Sequence, residues 1–431
     1  MLQGHPAATG RLRIGSCRGI PWRGSADPLV SQAGEGTQAV TDINGHVAAG
    51  FERVADAFEE NFAIRGEVGA EFCAYVGGEC VVNVWAGMAT PERPWTHDTL
   101  VFLFSVTKGA TALVAQVLAD RGLMDVNAPV AAYWPEFAAQ GKDRALVRHI
   151  LSHTLGLPSF PRYWDLVSGD DAAGWHRTDE IAARLAAATL AWEPGTTLGY
   201  HSISYGWLVG ELVRQIDGRS LGTFFADEVA RPLGLDLWIG LPVEQHGRVA
   251  RLLHDPDPAA DLLRAIWAPE SPAGAALFIG PERRSSVDLA NDPDLWTAEA
   301  PAINGIGDAR SVARMYAMLA GGGVLDGVRL VSEESVVAHS AEQARGIDAV
   351  FGGASRVALG YGRSIDGGLS LGPNDEAFGM QGIGGAVGYA DPVAEVGFGY
   401  AMNQTYMSAG TDPRPRALST ALYEAIARQG G

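Results

Sequence analysis

The first regular pattern of apolar positions lies between residues 47 and 62, where Val47, Phe51, Val54, Ala55, Phe58 and Phe62 recur at intervals of three and four. This spacing predicts an amphipathic helix over 47–62. The period then changes to two. Two alternating runs, 70–76 and 80–86, flank Gly77-Gly78, the two-residue signature of a β-hairpin. A short apolar run at 100–104 leads into a helical segment, 105–121, with a stripe of Leu113, Val114, Val117 and Leu118. From about 126 to 301, helical patterns (148–153, 178–188, 202–216, 221–229) alternate with Pro-, Gly- and Asp-rich loops, and strand patterns are sparse. Beyond 305 come a helix at 309–319, strands at 360–364, 384–389 and 396–402, and a closing helix at 416–427. Mixed α and β character at both ends of a helical middle predicts an α+β protein. Its sheet domain is expected from 44–125 and 302–431, with a mainly helical domain, 126–301, inserted. Residues 1–43 show no periodicity and read as a poorly ordered or surface-draped N-terminal arm.

Composition narrows the class. Of the 431 residues, 47 % are apolar and 19 % charged, enough for a large core. A formal net charge of −18 argues against a general nucleic-acid binder, which needs a basic footprint. No run approaches the ~18 apolar residues of a membrane-spanning helix, and the first thirty residues lack the pattern of a secretory signal. The three cysteines, Cys17, Cys73 and Cys80, form no Cys-x-x-Cys, so neither a zinc site nor a disulfide framework is expected. A cytoplasmic location fits this best. The oligomeric state is not legible.

The basic residues hold a sharper signal. Thirty are arginine and two are lysine, Lys108 and Lys142. Arginine keeps its proton in a protein, whereas a buried lysine can lose it and act as a base. Lys108 closes the sequence Ser105-Val106-Thr107-Lys108, at a spacing that puts serine and lysine on one helical face. A serine hydroxyl is a weak nucleophile without an adjacent base, and a helix start favours a developing oxyanion. Tyr200-His201-Ser202 follows the loop signal Glu193-Pro194-Gly195; Tyr200 reads as a core-capping tyrosine or as a proton relay, and Ser202 is expected to cap the next helix. Met380-Gln381-Gly382-Ile383-Gly384-Gly385 reads either as the opening of a strand, its small residues admitting a substrate and a main-chain N–H completing an oxyanion hole, or as a glycine-rich turn or bulge.

Taken in order, these three elements resemble the class C β-lactamase and penicillin-binding-protein superfamily, and more narrowly the family VIII carboxylesterases. The likeness runs from about residue 45 to 404. It includes Tyr133-Trp134-Pro135-Glu136-Phe137, Ser152-His153-Thr154-Leu155-Gly156-Leu157 and Gly388-Tyr389-Ala390-Asp391-Pro392. It implies a β-lactamase-like fold, an antiparallel sheet flanked by helices, with the site in the cleft beside the helical domain. It implies an acyl-enzyme on Ser105, Lys108 and Tyr200 sharing the base role, and an oxyanion hole from the N–H groups of Ser105 and Ile383. Ser202 would hydrogen-bond behind the catalytic groups, and Met380, Gln381 and Gly382 would lie along the substrate cleft. No cofactor or metal is implied. One departure matters: β-lactamases usually carry Lys-Thr-Gly where Met380-Gln381-Gly382 stands here, so the cation for a β-lactam carboxylate is missing. That favours small neutral esters over β-lactams or D-amino-acid peptides. Acyl transfer, lactone hydrolysis and a catalytically inactive binding role are the further alternatives.

Other signals are weaker. Gly218-Arg219-Ser220-Leu221-Gly222 matches the nucleophile-elbow pattern but follows a helix rather than a buried strand. His149 and His153 have metal-ligand spacing without a third ligand. Acidic groups near 255–261 and 288–294 read as solvated loops. Trp164, Trp175 and Trp267 are placed to line a pocket or pack in the core.

Overall fold

The computed structural model describes residues 42–167, 172–256, 271–278, 285–366, 368–407 and 412–429. The N-terminal arm, Cys17, Trp267 and part of the 255–261 acidic group lie outside these residues. The main sheet is antiparallel throughout. Its strands are β1 (Asn44–Val47), β2 (Gly69–Val76), β3 (Glu79–Thr90), β4 (Ala344–Ile347), β5 (Ala354–Val357), β6 (Gly362–Arg363), β7 (Phe378–Gln381), β8 (Val387–Asp391) and β9 (Val396–Met402). The order across the sheet is β1-β3-β2-β9-β8-β7-β6-β5-β4, so the two ends of the chain meet at the β2–β9 pair. The expected hairpin is present: Val76 pairs with Glu79, and Gly77 and Gly78 take φ values of 57° and 80°, as the tight turn requires.

Helices α1 (Glu52–Ile64), α2 (Thr107–Asp120), α3 (Thr178–Ala187), α4 (Ser204–Asp217), α5 (Ala309–Ala320) and α6 (Pro413–Gln429) complete the frame. Helix α5 lies directly on the sheet. Its close approach depends on Gly397 and Gly399, where a Cβ would stand 2.4 Å from Ala317 N and 2.2 Å from Ala309 O. Helix α2 is buried on every side from Thr107 to Leu118, which fits a central helix better than the one-sided stripe expected of it.

A second, three-stranded sheet joins Val101–Phe102 and Leu237–Ile239 to the two sides of Gly305–Gly307. It ties the lead-in to α2 to the middle of the chain. Leu237–Ile239 is the one strand among the described residues of 126–301.

Three local expectations are corrected. The helix read over 47–62 begins at Glu52. Residues 44–47 pair with β3, and Gly50, at φ 92°, separates strand from helix. The helix read from Ser105 begins at Thr107, leaving Ser105 in the preceding turn. The segment 380–385 precedes the strand it is expected to open, which begins later, at Val387, as β8. It ends β7, which pairs across the sheet with β6 and β8, and then turns.

Lys142 shows why the second lysine is there. Its ammonium is fully buried and donates to the carbonyls of Ala139 (2.8 Å), Ala186 (2.8 Å) and Ala188 (2.5 Å). It therefore satisfies carbonyls at the C-terminal end of α3 with three divergent donors. A planar guanidinium does not fit that cone. Lys142→Arg is expected to cost about 1–3 kcal/mol through unpaired carbonyls, read as a lower Tm in a thermal scan. An unchanged Tm contradicts this role.

Candidate active site

The site is built at the junction of the small sheet and α2. Phe104 adopts a left-handed φ of 46°, uncommon for a bulky residue. The Thr107 hydroxyl donates to Phe104 O (2.5 Å) and accepts from Gly305 N (2.7 Å), so the turn is clamped to the second sheet. Ser105 sits in that turn, buried, just ahead of the N-terminus of α2.

Lys108, one turn on, is fully buried. Its Nζ donates to Ser105 Oγ (3.2 Å) and to Ala302 O (2.9 Å). Burial alone holds the amine well below its ordinary value, because an ammonium without a counter-charge is expensive in a dry interior. Lys108 Nζ also lies 4.9 Å from the centre of the Tyr200 ring. Burial raises the Tyr200 phenol, and a hydrogen bond with Ser105 acts against that rise. Both shifts favour the uncharged forms, an amine able to accept a proton beside a phenol able to give one.

The Tyr200 backbone is held from two directions. Its N–H donates to Asp348 Oδ2 (2.7 Å), whose Oδ1 accepts from Val350 N and Phe351 N (2.8 Å each). On the other side, His153 Nδ1 accepts from His201 N (3.1 Å), and the His153 ring lies 4.6 Å from that of Tyr200. His201 Nε2 accepts from Leu157 N (2.8 Å), and its Nδ1–H donates to Gly199 O (2.7 Å). Both histidines are thereby fixed as neutral braces. His149 accepts from Leu146 N (3.1 Å), and no group of three metal-ligating side chains occurs among the described residues.

Burial lowers His201 to about 4. Its folded value lies below the ordinary one near 6.5, so its contribution to stability is complete above pH 6.5 and is lost as pH falls toward 4. The stability advantage of wild type over His201→Gln is expected to shrink by a few kcal/mol between pH 7.5 and pH 4.5. Denaturant titrations at the two pH values check it, and a constant difference contradicts it.

A narrow apolar pocket opens from Ser105 between Phe104, Trp175, Leu289 and Ile303, with Ser202 and Ile383 on its wall. Ser202 faces this pocket instead of capping α4. Ile203 holds the N-cap position without a side-chain bond, and the Ser204 hydroxyl donates to Leu157 O (2.8 Å). Trp175 is buried against this pocket, whereas Trp164 is exposed. The structure therefore brings Ser105, Lys108 and Tyr200 into contact and places Ser202 and Ile383 beside Ser105.

The other expected cleft residues are arranged differently. Gln381 lines a separate cavity between the sheet and α6, because β7 turns successive side chains to opposite faces. Met380 is buried in the sheet. Gly382 packs its backbone against Leu103, where a Cβ would stand 2.5 Å from the carbonyl oxygen. Ser220 is an N-cap: its oxygen accepts from Thr223 N (3.2 Å), and its hydroxyl donates to Glu299 (2.6 Å). The nucleophile-elbow pattern is thus accounted for as a cap.

Comparison with known proteins places the chain in a family. A sequence model of the family described as Beta-lactamase matches residues 54–421. The chain belongs to the beta-lactamase family. Among curated relatives, "Esterase/beta-lactamase LipL" of Mycobacterium tuberculosis is 34% identical over 384 residues, covering 86% of this chain and 85% of the relative. The solved structure of a family VIII carboxylesterase superposes with a TM-score of 0.79 at 38% identity, covering 89% of this chain and 100% of that one. EstA from Arthrobacter nitroguajacolicus Rue61a gives 0.77 at 31% identity, covering 90% and 99%. The β-lactamase-like fold and the family VIII resemblance read from the sequence are borne out by these relatives.

Proposed function

We propose that this beta-lactamase-family chain is a serine carboxylesterase of the family VIII type, acting on small or short-chain esters through an acyl-enzyme on Ser105. The observation that carries the reading is the fully buried Lys108 amine 3.2 Å from the Ser105 hydroxyl, in a setting that disfavours its charged form. The amine takes the hydroxyl proton as Oγ attacks the ester carbonyl. The N–H groups of Ser105 and Ile383 receive the oxyanion. Tyr200 gives its proton to the departing alcohol and is reprotonated through Lys108, and water repeats the cycle on the acyl-enzyme. Lys108 and Tyr200 act as a coupled pair. The route uses no metal or cofactor. The names of LipL and EstA, and the family VIII structure, support esterase chemistry.

Charge at the late strand favours neutral esters over β-lactams. Met380 and Gln381 supply no cation there, and Arg414 behind the adjoining turn is committed to Glu67 and Asp412. A cytoplasmic setting fits Cys73 and Cys80, whose Sγ atoms lie 3.9 Å apart without forming a disulfide. No helix among the described residues is long and apolar enough to cross a membrane. Wild-type protein is expected to turn over p-nitrophenyl butyrate with a higher kcat/KM than a chromogenic cephalosporin. A strong preference for the cephalosporin reverses the assignment to a β-lactamase.

A further inference from the structure

Behind the turn 382–385 lies a buried group of charges that the catalytic route does not use. Arg414 donates through Nη1 to Glu67 Oε1 (3.1 Å) and Gln404 O (2.8 Å), and through Nη2 to Asp412 Oδ2 (2.7 Å). Asp412 Oδ1 also accepts from Arg414 N (2.9 Å), and Tyr400 donates its hydroxyl to Glu67. Arg414, Asp412 and Glu67 are all buried. A buried ion group is a poor source of net stability, because desolvation offsets its attraction. Its placement is more informative than its energy.

The turn is gripped at both ends. A Cβ on Gly385 would stand 2.3 Å from Asp412 Oδ2 and 3.1 Å from Arg414 Nη2, so the main chain rests on the carboxylate itself. Gly384 O accepts from Tyr406 N (2.9 Å) and, at 3.5 Å, from Arg414 Nη2. Gly382, at the start of the turn, lies against Leu103 O, two residues before Ser105. Internal bonds close the turn, Gly382 N to Ala386 O (2.8 Å) and Gly385 N to Gly382 O (3.2 Å). Ile383 is held between these two contacts. Its position relative to Ser105 is therefore set by the charged group on one side and the Ser105 lead-in on the other.

We propose that Asp412 and Arg414, at the start of the C-terminal helix, are positioning residues that seat the turn 382–385 and so aim the Ile383 N–H at the oxyanion formed on Ser105. This rests on the esterase reading. It assigns a task in the reaction to residues that touch no substrate, and it explains why Arg414 is not available to a substrate carboxylate. Small displacements of an oxyanion donor are costly, because the donor acts on charge present only in the transition state.

The test compares wild type, Asp412→Asn and Gly385→Ala. It measures kcat and KM for p-nitrophenyl butyrate, affinity for an alkyl boronic acid that adds to Ser105, and Tm. Asp412→Asn keeps the shape and removes the charge; Gly385→Ala keeps the charge and displaces the turn. Both are expected to lower kcat by about 10- to 100-fold with KM within about threefold, and to weaken boronate binding in parallel. Variants that stay folded at the assay temperature with wild-type kcat overturn the positioning role. So do losses that match the unfolded fraction. Wild-type protein that neither hydrolyses the ester nor binds the boronate overturns the esterase reading and the positioning role with it.

Discussion

Ser105→Ala removes ester turnover, with kcat/KM for p-nitrophenyl butyrate falling by at least about 10⁴-fold. The expectation follows from the route: without Oγ no acyl-enzyme forms, and the Lys108 amine is left with Ala302 O as its hydrogen-bond partner. The fold is not expected to suffer. Ser105 lies in a turn anchored by Thr107, not by its own side chain. Near-wild-type Tm with background turnover is thus the predicted pair of readings. Turnover that survives the substitution places the nucleophile elsewhere.

Lys108→Arg is the second large effect, and it separates charge from basicity. The variant keeps a cation at the end of a similar stem, but a guanidinium does not give up its proton. The loss in kcat/KM is expected to reach about 10³-fold or more, since the base acts in both acylation and deacylation. Lys108→Met, which removes the charge and approximates the volume, should be comparably inactive. If Lys108→Arg retained turnover, the base would have to be Tyr200 acting alone. The pH profile of wild type adds a check. Burial holds Lys108 well below its ordinary value, so the rise of activity with pH should come well below the range of an ordinary lysine.

The parts of this account legible in the sequence are those set by local chemistry. Ser105 and Lys108 are three residues apart, and their contact needs only one turn of backbone. The Gly77-Gly78 hairpin was readable because two φ-positive residues between alternating runs have few other uses. Scarcity made both lysines visible, but it did not say that Lys142 is structural; that rests on carbonyls 44 and 46 residues away.

What stayed hidden depends on distant partners. Asp348 reads locally as a turn former, since Val350 and Phe351 give it N–H groups to accept. Its bond to Tyr200 spans 148 residues and leaves no trace in either motif. Strand β7 was missed because Phe378-Gly379-Met380-Gln381 lacks β-branched residues; pairing with β6 and β8 on either side makes it a strand. The helix pattern from Val47 misled because hydrophobic spacing does not register the conformational break at Gly50.

The most direct test of the central claim is covalent labelling. Wild-type protein would be incubated with a fluorophosphonate, measured intact by mass spectrometry and then mapped by peptide. A single adduct on Ser105, protection from labelling by p-nitrophenyl butyrate, and no adduct in Ser105→Ala are expected. An adduct on another residue such as Ser220, or an active wild type that resists labelling, would contradict the claim.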